Sequence, residues 1–386
     1  MLFSPEEYQQ RQNRIRAELQ TARLDALLVS GDDNITYFAG IRSLLPRLIQ
    51  TRPLFVLIPV SQDPVVLIHN SRVVDTRVNS PISEVRTYTT SDEVPYGCAP
   101  FAELADLLRE RGLERGRIGA ELGHDTRMGM PVGDFERLRA RLPEAQFRDA
   151  SDPIWKVRMR KSPAELELLK QSAEITGEAR QRTFAQLKPG MTDGQVLNRF
   201  FREILEVGGD RPSFGFVAAG PLQPEIPLFG VPTGRPLEMG DLICLDGGCW
   251  VQDYSCDYDR LAVLGRPSHR QQDLYQRLRD LNDKMVELFR PGVSTAEVYE
   301  VYVAECRRHK LPNPGVIVGH GMGMLLGEPP RVAPWDETVL EPGIVCSSEP
   351  YFLPEDGPLV WEDLLVITES GHELLTTESP DLFVVD

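Results

Sequence analysis

Histidine and cysteine are both scarce in this chain, at six each in 386 residues. The cysteines stand at positions 98, 244, 249, 256, 306 and 346 and form no Cys-x-x-Cys pair. That excludes the spacings of zinc ribbons and thioredoxin-like redox motifs. Cys244 and Cys346 sit inside apolar runs, where a free cysteine behaves as a small core residue. Such usage fits a reducing cytoplasm, which is the expected location. Long hydrophobic runs are missing too, and nothing approaches the roughly 18 apolar residues that suggest a membrane span. The N-terminal stretch MLFSPEEYQQRQNRIRAELQ is polar and helix-like, unlike a signal or transit peptide. Positive charge is in deficit, with 42 Lys and Arg against 58 Asp and Glu and a net charge of −16. Nucleic acid and anionic membrane are therefore not expected partners.

What is present is ordinary globular material. Hydrophobic residues at 41% and charged residues at 26% suffice for a large core and two or three domains. Ser4-Pro-Glu-Glu7 is a capping box that opens a helix to about residue 23. Leu24–Ser30 reads as a strand, the turn Gly31-Asp-Asp-Asn34 interrupts it, and Ile35–Phe38 resumes it. Pro53–Pro59 and Pro64–His69 read as two strands around a turn. Phe101–Arg111 has a helical apolar face, Arg117–Glu121 is strand-like, Val132–Leu142 is helical, and Phe147 begins a short strand. This alternation predicts an α/β domain over residues 1–155. A boundary falls in Asp149–Lys161, and a second capping box, Ser162-Pro-Ala-Glu165, opens the domain over 156–386.

The second domain repeats internally. Lys188-Pro-Gly-Met-Thr-Asp-Gly-Gln-Val196 resembles Arg290-Pro-Gly-Val-Ser-Thr-Ala-Glu-Val298 at an offset of 102, and both carry a Ser/Thr N-cap with Gln195 or Glu297 three residues on. Leu237–Asp246 resembles Leu340–Glu349 at an offset of 103, which carries Gly240 to Gly343 and Asp246 to Glu349. Two related α-β-β halves about a pseudo-twofold axis are expected.

Each half ends in a pair of acids. Asp257 follows Asp246 by 11 positions and Glu362 follows Glu349 by 13, spacings that fit β-hairpins. Closing the two hairpins would bring four carboxylates to one point, where either cations sit between them or some of the acids are protonated. Between the halves lies Gly319-His-Gly-Met-Gly-Met-Leu-Leu-Gly-Glu-Pro-Pro330, whose His320 stands between two glycines. Four carboxylates and one imidazole suit Mn, Co, Fe(II) or Mg better than structural zinc. Four carboxylates also balance two divalent ions in formal charge.

In this order and context, Asp246, Asp257, His320, Glu349 and Glu362 resemble the metal ligands of the pita-bread (M24) metallopeptidases. That family holds methionine aminopeptidase, Xaa-Pro aminopeptidase, prolidase and creatinase. The resemblance implies a pita-bread catalytic domain, of α+β class, preceded by a smaller creatinase-type α/β domain. It implies a metallohydrolase with two divalent ions, manganese foremost, and Co, Fe, Zn or Mg as alternatives. Asp257 and Glu362 would bridge the ions. Asp246 would bind the first, and His320 with Glu349 the second. Glu349 and His320 would be the catalytic groups, with Glu349 shuttling a proton as general base. A cytoplasmic homodimer acting on a short peptide or other small molecule is implied.

The chain departs from the family at three pocket positions. Phe229 stands where proline peptidases usually have a histidine, Gly327 precedes Glu328 where they have another, and Val360 replaces a common arginine. Three missing polar groups predict weak action on Xaa-Pro dipeptides. Two rival readings follow: a small-metabolite enzyme on the same fold (a creatinase- or ectoine-hydrolase-like C–N hydrolase, or a C–S lyase) and a catalytically silent binding protein.

Overall fold

Residues 1–42, 52–90, 99–221, 230–311, 315–355 and 357–385 are described by the computed structural model. The chain divides into two units, Met1–Arg158 and Met159–Asp386. Among the described residues no helix is long and apolar enough to cross a membrane.

The first unit is an α/β layer structure. In chain order it holds α1 (Pro5–Thr21), β1 (Ala26–Val29), α2 (Asp32–Ala39), β2 (Phe55–Pro59), β3 (Val65–His69), α3 (Val73–Asn79), β4 (Glu84–Tyr88), α4 (Phe101–Glu110), β5 (Arg117–Ala120), α5 (Val132–Arg141), β6 (Gln146–Asp149) and α6 (Ser151–Met159), whose last residue lies across the unit boundary. The sheet order is β4-β3-β2-β1-β5-β6. β2 is antiparallel to β1 and β3, and the outer pairs β3–β4, β1–β5 and β5–β6 are parallel. Every residue of β2 and β3 is buried, so these strands read as continuous apolar runs rather than alternating ones. Leu104, Leu107 and Leu108 of α4 pack into the same core as Leu28, Leu57 and Ile118.

One expectation fails here. Ile35–Phe38 does not resume a strand; it lies in helix α2. Gly31 is the extended N-cap, Asp32 and Asp33 occupy the first turn, and Gly40 closes the helix by bonding to the Thr36 carbonyl. The acids favour the positive end of the helix dipole, and four apolar residues are too few to set a period. The domain boundary expected at 155/156 falls inside α6.

The second unit begins with α7 (Pro163–Phe184), set by the capping box Ser162/Glu165. It continues through α8 (Asp193–Val207), β7 (Arg211–Ala219), β8 (Leu242–Val251), β9 (Tyr254–Ser255), β10 (Tyr258–Leu264), α9 (His269–Val286) and α10 (Thr295–Arg308). Then come β11 (His320–Gly321), β12 (Glu328–Arg331), β13 (Val345–Ser348), β14 (Tyr351–Phe352), β15 (Leu359–Val360), β16 (Asp363–Ile367), β17 (His372–Leu374) and β18 (Phe383–Val385). The two larger sheets run β18-β10-β8-β7 and β12-β11-β13-β16-β17.

The internal repeat is physical. Helices α8 and α10 both open with complete capping boxes, at Thr192/Gln195 and Ser294/Glu297, each worth about 1 kcal/mol to its helix. Each cap residue also forms a lone antiparallel bridge to the segment entering the next hairpin, Thr192 to Pro236 and Ser294 to Val339. The adjoining backbone bonds match: Gly190 N to Leu237 O at 2.8 Å, and Gly292 N to Leu340 O at 3.0 Å. The turn residues Gly240 and Gly343 share φ, at 91° and 89°. Between the halves, Cys244, Cys346, Leu242, Leu261, Leu365 and Trp361 belong to one apolar core.

Candidate metal centre

Two hairpins present the acids. Strand β8 carries Asp246 and returns through Gln252 and Asp253, both at positive φ (48° and 68°). That is the twist a two-residue hairpin turn requires, and the Gln252 amide is held by Asp210 at 2.7 Å. β10 then runs antiparallel to β8, with Asp257 just before its first residue. In the second half Glu349 follows β13 and Glu362 precedes β16. The ladder pairs Ser348 with Asp363 and continues through Trp361 N to Pro350 O at 3.3 Å. Glu349 therefore stands opposite Glu362.

His320 enters on β11. Its backbone amide donates to Ser347 Oγ at 3.1 Å, and its Nδ1 lies 3.1 Å from the Gly321 carbonyl. A carbonyl only accepts, so Nδ1 carries the proton and Nε2 keeps its lone pair. Nε2 lies 3.5 Å from Asp257 Oδ2 and 4.0 Å from Glu362 Oε1. Ligand atoms of Asp257, His320 and Glu362 all fall within 4.8 Å of one another.

The electrostatics are those of a site built for cations. Asp246, Asp257 and Glu362 are buried, and Glu349 is half-buried. Asp246 Oδ1, Asp257 Oδ1 and Glu362 Oε1 have no hydrogen-bond partner among the described residues. Burial and the Asp257 charge push the Asp246 carboxyl far above the usual range. Burial pushes Asp257 up to about 7. Glu362 is raised by burial and then by Asp257 and Glu349. Glu349 is raised by burial, against the pull of His320. Burial lowers His320, against Glu349. The donor set fits divalent cations: buried oxygens without partners and one imidazole lone pair aimed at them.

The acid-bearing strands are braced by neighbours that sequence reasoning missed. Asp363 accepts from Arg260 Nη2, Asn282 Nδ2 and Trp361 Nε1, each at 2.8 Å, and from Thr376 Oγ1 at 3.0 Å. The guanidinium groups of Arg260 and Arg279 lie over the Trp361 ring, 3.8 and 3.7 Å from its centroid. Arg260 also donates to the Glu362 carbonyl. Only Trp361 and Asp363 carried a signal in the sequence, as the neighbours of Glu362. Behind the His320 loop, Glu328 accepts from the Met324 and Leu325 amides at 3.0 and 3.1 Å and pairs with Lys161 at 3.1 Å.

A second missed residue is Asp259. It, rather than Asp257, stands directly opposite Asp246 on the β8–β10 ladder. The offset of 103 was its signal, since it carries Asp259 to Glu362 and Asp257 to Val360.

Of the three pocket candidates, Val360 is buried in the apolar core and pairs with Tyr351. Gly327 sits at φ 73°, and a Cβ there would meet nothing within 4 Å. Phe229 lies outside the described residues.

Paired hairpins that close acids and one imidazole on a buried point, in a unit of two similar halves, define a metal-dependent hydrolase of the pita-bread class. The family model of metallopeptidase family M24 matches residues 167–369, and that of the creatinase/prolidase N-terminal domain matches residues 11–160. The chain belongs to the M24 metallopeptidase family, and so is a hydrolase of a divalent-metal-dependent family. It is 29% identical over 257 residues to an Xaa-Pro dipeptidase of Pyrococcus horikoshii, covering 66% of this chain and 72% of that one. It is 24% identical over 412 residues to an ectoine hydrolase of Halomonas elongata, covering 99% and 98%. In fold it matches an Xaa-Pro dipeptidase from Bacillus anthracis, with a TM-score of 0.84, 22% identity and coverage of 98% and 100%.

Proposed function

We propose that this chain hydrolyses an amide bond in a short peptide or other small molecule, in the manner of the Xaa-Pro peptidases but with little activity on Xaa-Pro dipeptides themselves, using two divalent ions held by Asp246, Asp257, His320, Glu349 and Glu362. The observation that carries this reading is the approach of Asp257, His320 and Glu362 to within 4.8 Å, with buried acid oxygens that lack partners. The name of the Pyrococcus horikoshii relative supports the peptide class. Bound there, divalent ions would supply an acidified water and a Lewis acid for the scissile carbonyl.

The chain's own residues do the rest. Glu349 is the group proposed to take the water's proton and return it to the leaving amine. Its half-buried position at the end of β13 leaves it reachable. His320, its tautomer set by Gly321, offers a fixed lone pair. Asp246 within β8, and Asp257 and Glu362 at the entries to β10 and β16, contribute negative charge. Manganese is the ion proposed, because the donors are mostly hard oxygen. A cytoplasmic homodimer is proposed, in which the N-terminal domain (residues 1–155) of one protomer lies near the active site of its partner. Light scattering at micromolar concentration checks the dimer, and a monomer contradicts it.

The central test is metal analysis of protein purified without added metal, then after saturation with Mn or Co. About two ions per chain are expected, and Asp257→Ala should hold neither tightly. An activity screen over Xaa-Pro dipeptides and small amides follows. Wild-type protein that takes up no divalent ion sinks the reading.

A further inference from the structure

The hairpin of the first half holds one acid more than the five residues already assigned. Asp259 on β10 is paired in register with Asp246 on β8. Directly opposed side chains on antiparallel strands share a face with Cβ atoms roughly 4.5–5.5 Å apart. Asp257 lies two residues before Asp259, so it projects to the same side. The Asp259 side chain is wholly buried, and neither of its carboxylate oxygens has a hydrogen-bond partner among the described residues.

Nearby guanidinium groups are engaged with other acids. Arg260 Nη2 binds Asp363 at 2.8 Å, and Arg180 Nη1 binds Glu378 at 2.7 Å. Arg260 and Arg180 act on Asp259 only through space, so it remains a buried acid without a bonded partner facing Asp246 and Asp257, an arrangement that suits a further cation.

The internal repeat says which role it fills. The offset that carries Asp246 to Glu349 carries Asp259 to Glu362. In both halves the two acids stand across an antiparallel ladder, Asp246 from Asp259 and Glu349 from Glu362. Asp259 thus occupies in the first hairpin the place that Glu362 occupies in the second. Asp257, whose counterpart is Val360, is the acid without a symmetry mate.

We propose that Asp259 is a sixth side chain of the metal centre, sharing with Asp246 the divalent cation held by the first hairpin. This rests on the metal-centre reading above and extends it. A fifth carboxylate leaves the site more negative than two divalent ions neutralise, and it adds hard oxygen. Both favour Mn and Mg over softer ions.

The test uses chelator-treated full-length protein, titrated with Mn(II) by calorimetry, for wild type, Asp259→Asn and Asp259→Ser. Both variants should bind the tightest ion at least ~10-fold more weakly, the low end of what even supporting residues of metal sites cost. The visible absorption of the Co(II)-loaded variants should differ from wild type, because the ligand set has changed. The metal-free variants should melt at or above the wild-type temperature, since a repelling buried charge is gone.

Mn(II) affinity within twofold of wild type, with superimposable Co(II) spectra, overturns the proposal and leaves the metal centre standing. Metal-free variants that melt well below wild type mark Asp259 as a structural group and also overturn it. A wild-type chain that binds neither ion overturns the metal centre and this extension together.

Discussion

Ser348 and Asp363 face one another across the β13–β16 ladder, and both are bonded to the side chain of Asn282. Asn282 Oδ1 accepts from Ser348 Oγ at 2.8 Å, and its Nδ2 donates to Asp363 Oδ2 at 2.8 Å. Ser348 precedes Glu349 and Asp363 follows Glu362, so one amide sets the separation of two proposed ligands.

Asn282→Ala should therefore weaken metal binding without changing the number of ions bound at saturation. Losing such a supporting partner typically costs about 10–100-fold in affinity. Calorimetric titration with Mn(II) measures it. Affinity equal to wild type would show that the ladder alone fixes the two acids.

Asp193 offers a pH-dependent test away from the metal site. It accepts from Thr233 N at 2.6 Å, Thr233 Oγ1 at 2.8 Å, Gly194 N at 2.7 Å and Gly234 N at 2.9 Å. Burial acts to raise its pKa, but the bonds from Thr233 and the two glycines prevail and hold the carboxyl below its ordinary 3.8. A depressed carboxyl stabilises the fold above the unfolded-state pKa, and that stability is lost as pH falls through the folded value. Asp193→Ala should cost about 1–3 kcal/mol near pH 7, with the gap to wild type narrowing below about pH 4. Urea unfolding at pH 7, 5 and 3 checks this. A gap that stays constant or widens on acidification would assign the effect to packing instead.

Lys161 and Glu328 form an ion pair whose side chains are each 1% exposed. Lys161→Met strands a buried carboxylate and should cost about 3–5 kcal/mol. The double variant Lys161→Met with Glu328→Gln should be milder, because a Gln carbonyl can still accept from the Met324 and Leu325 amides. A double-mutant cycle by chemical denaturation gives the coupling. A double variant as unstable as the sum of the singles refutes the pairing as the main term.

The sequence made the metal centre legible because its parts recur. A capped helix and an acid-bearing hairpin, each repeated at nearly one offset, pointed to two facing hairpins, while the glycine-flanked His320 between the halves and the hairpin spacing of Asp257 pointed to the remaining members of the Asp257, His320 and Glu362 cluster. What stayed hidden depended on register. An 11-residue interval fits a hairpin, but only the ladder shows that Asp259, not Asp257, opposes Asp246. Helix α2 was hidden because four apolar residues between acids and a glycine carry no period. The Trp361–Arg260–Arg279 stack was hidden for another reason. Cation–π contacts join residues far apart in sequence, and no local pattern marks them.

Three positions, Phe229, Gly327 and Val360, are proposed to set substrate preference, and the structure changes what a rescue can achieve. Val360 is a core residue at 1% exposure, so Val360→Arg should unfold the hairpin rather than restore a substrate contact. At Gly327 a Cβ would have open space, but φ is 73°, a conformation that costs an L residue about 1–2 kcal/mol. Gly327→His should therefore lower the melting temperature, by about 2–4 °C per kcal/mol in a domain of this size. Phe229 lies outside the described residues, so Phe229→His is judged by turnover alone. Each missing preorganised donor is worth about 10²–10³ in turnover. With metal sites full, the wild-type chain should cleave Xaa-Pro dipeptides at well under the usual range of about 1–10³ per second. Phe229→His alone should raise that rate by at least ~10-fold, a conservative part of the same range, and the double change with Gly327→His should gain less than additivity. Steady-state kinetics on Mn-loaded protein decides it. Wild-type turnover in the ordinary range would mean that the carbonyl and carboxylate are gripped by residues other than these three.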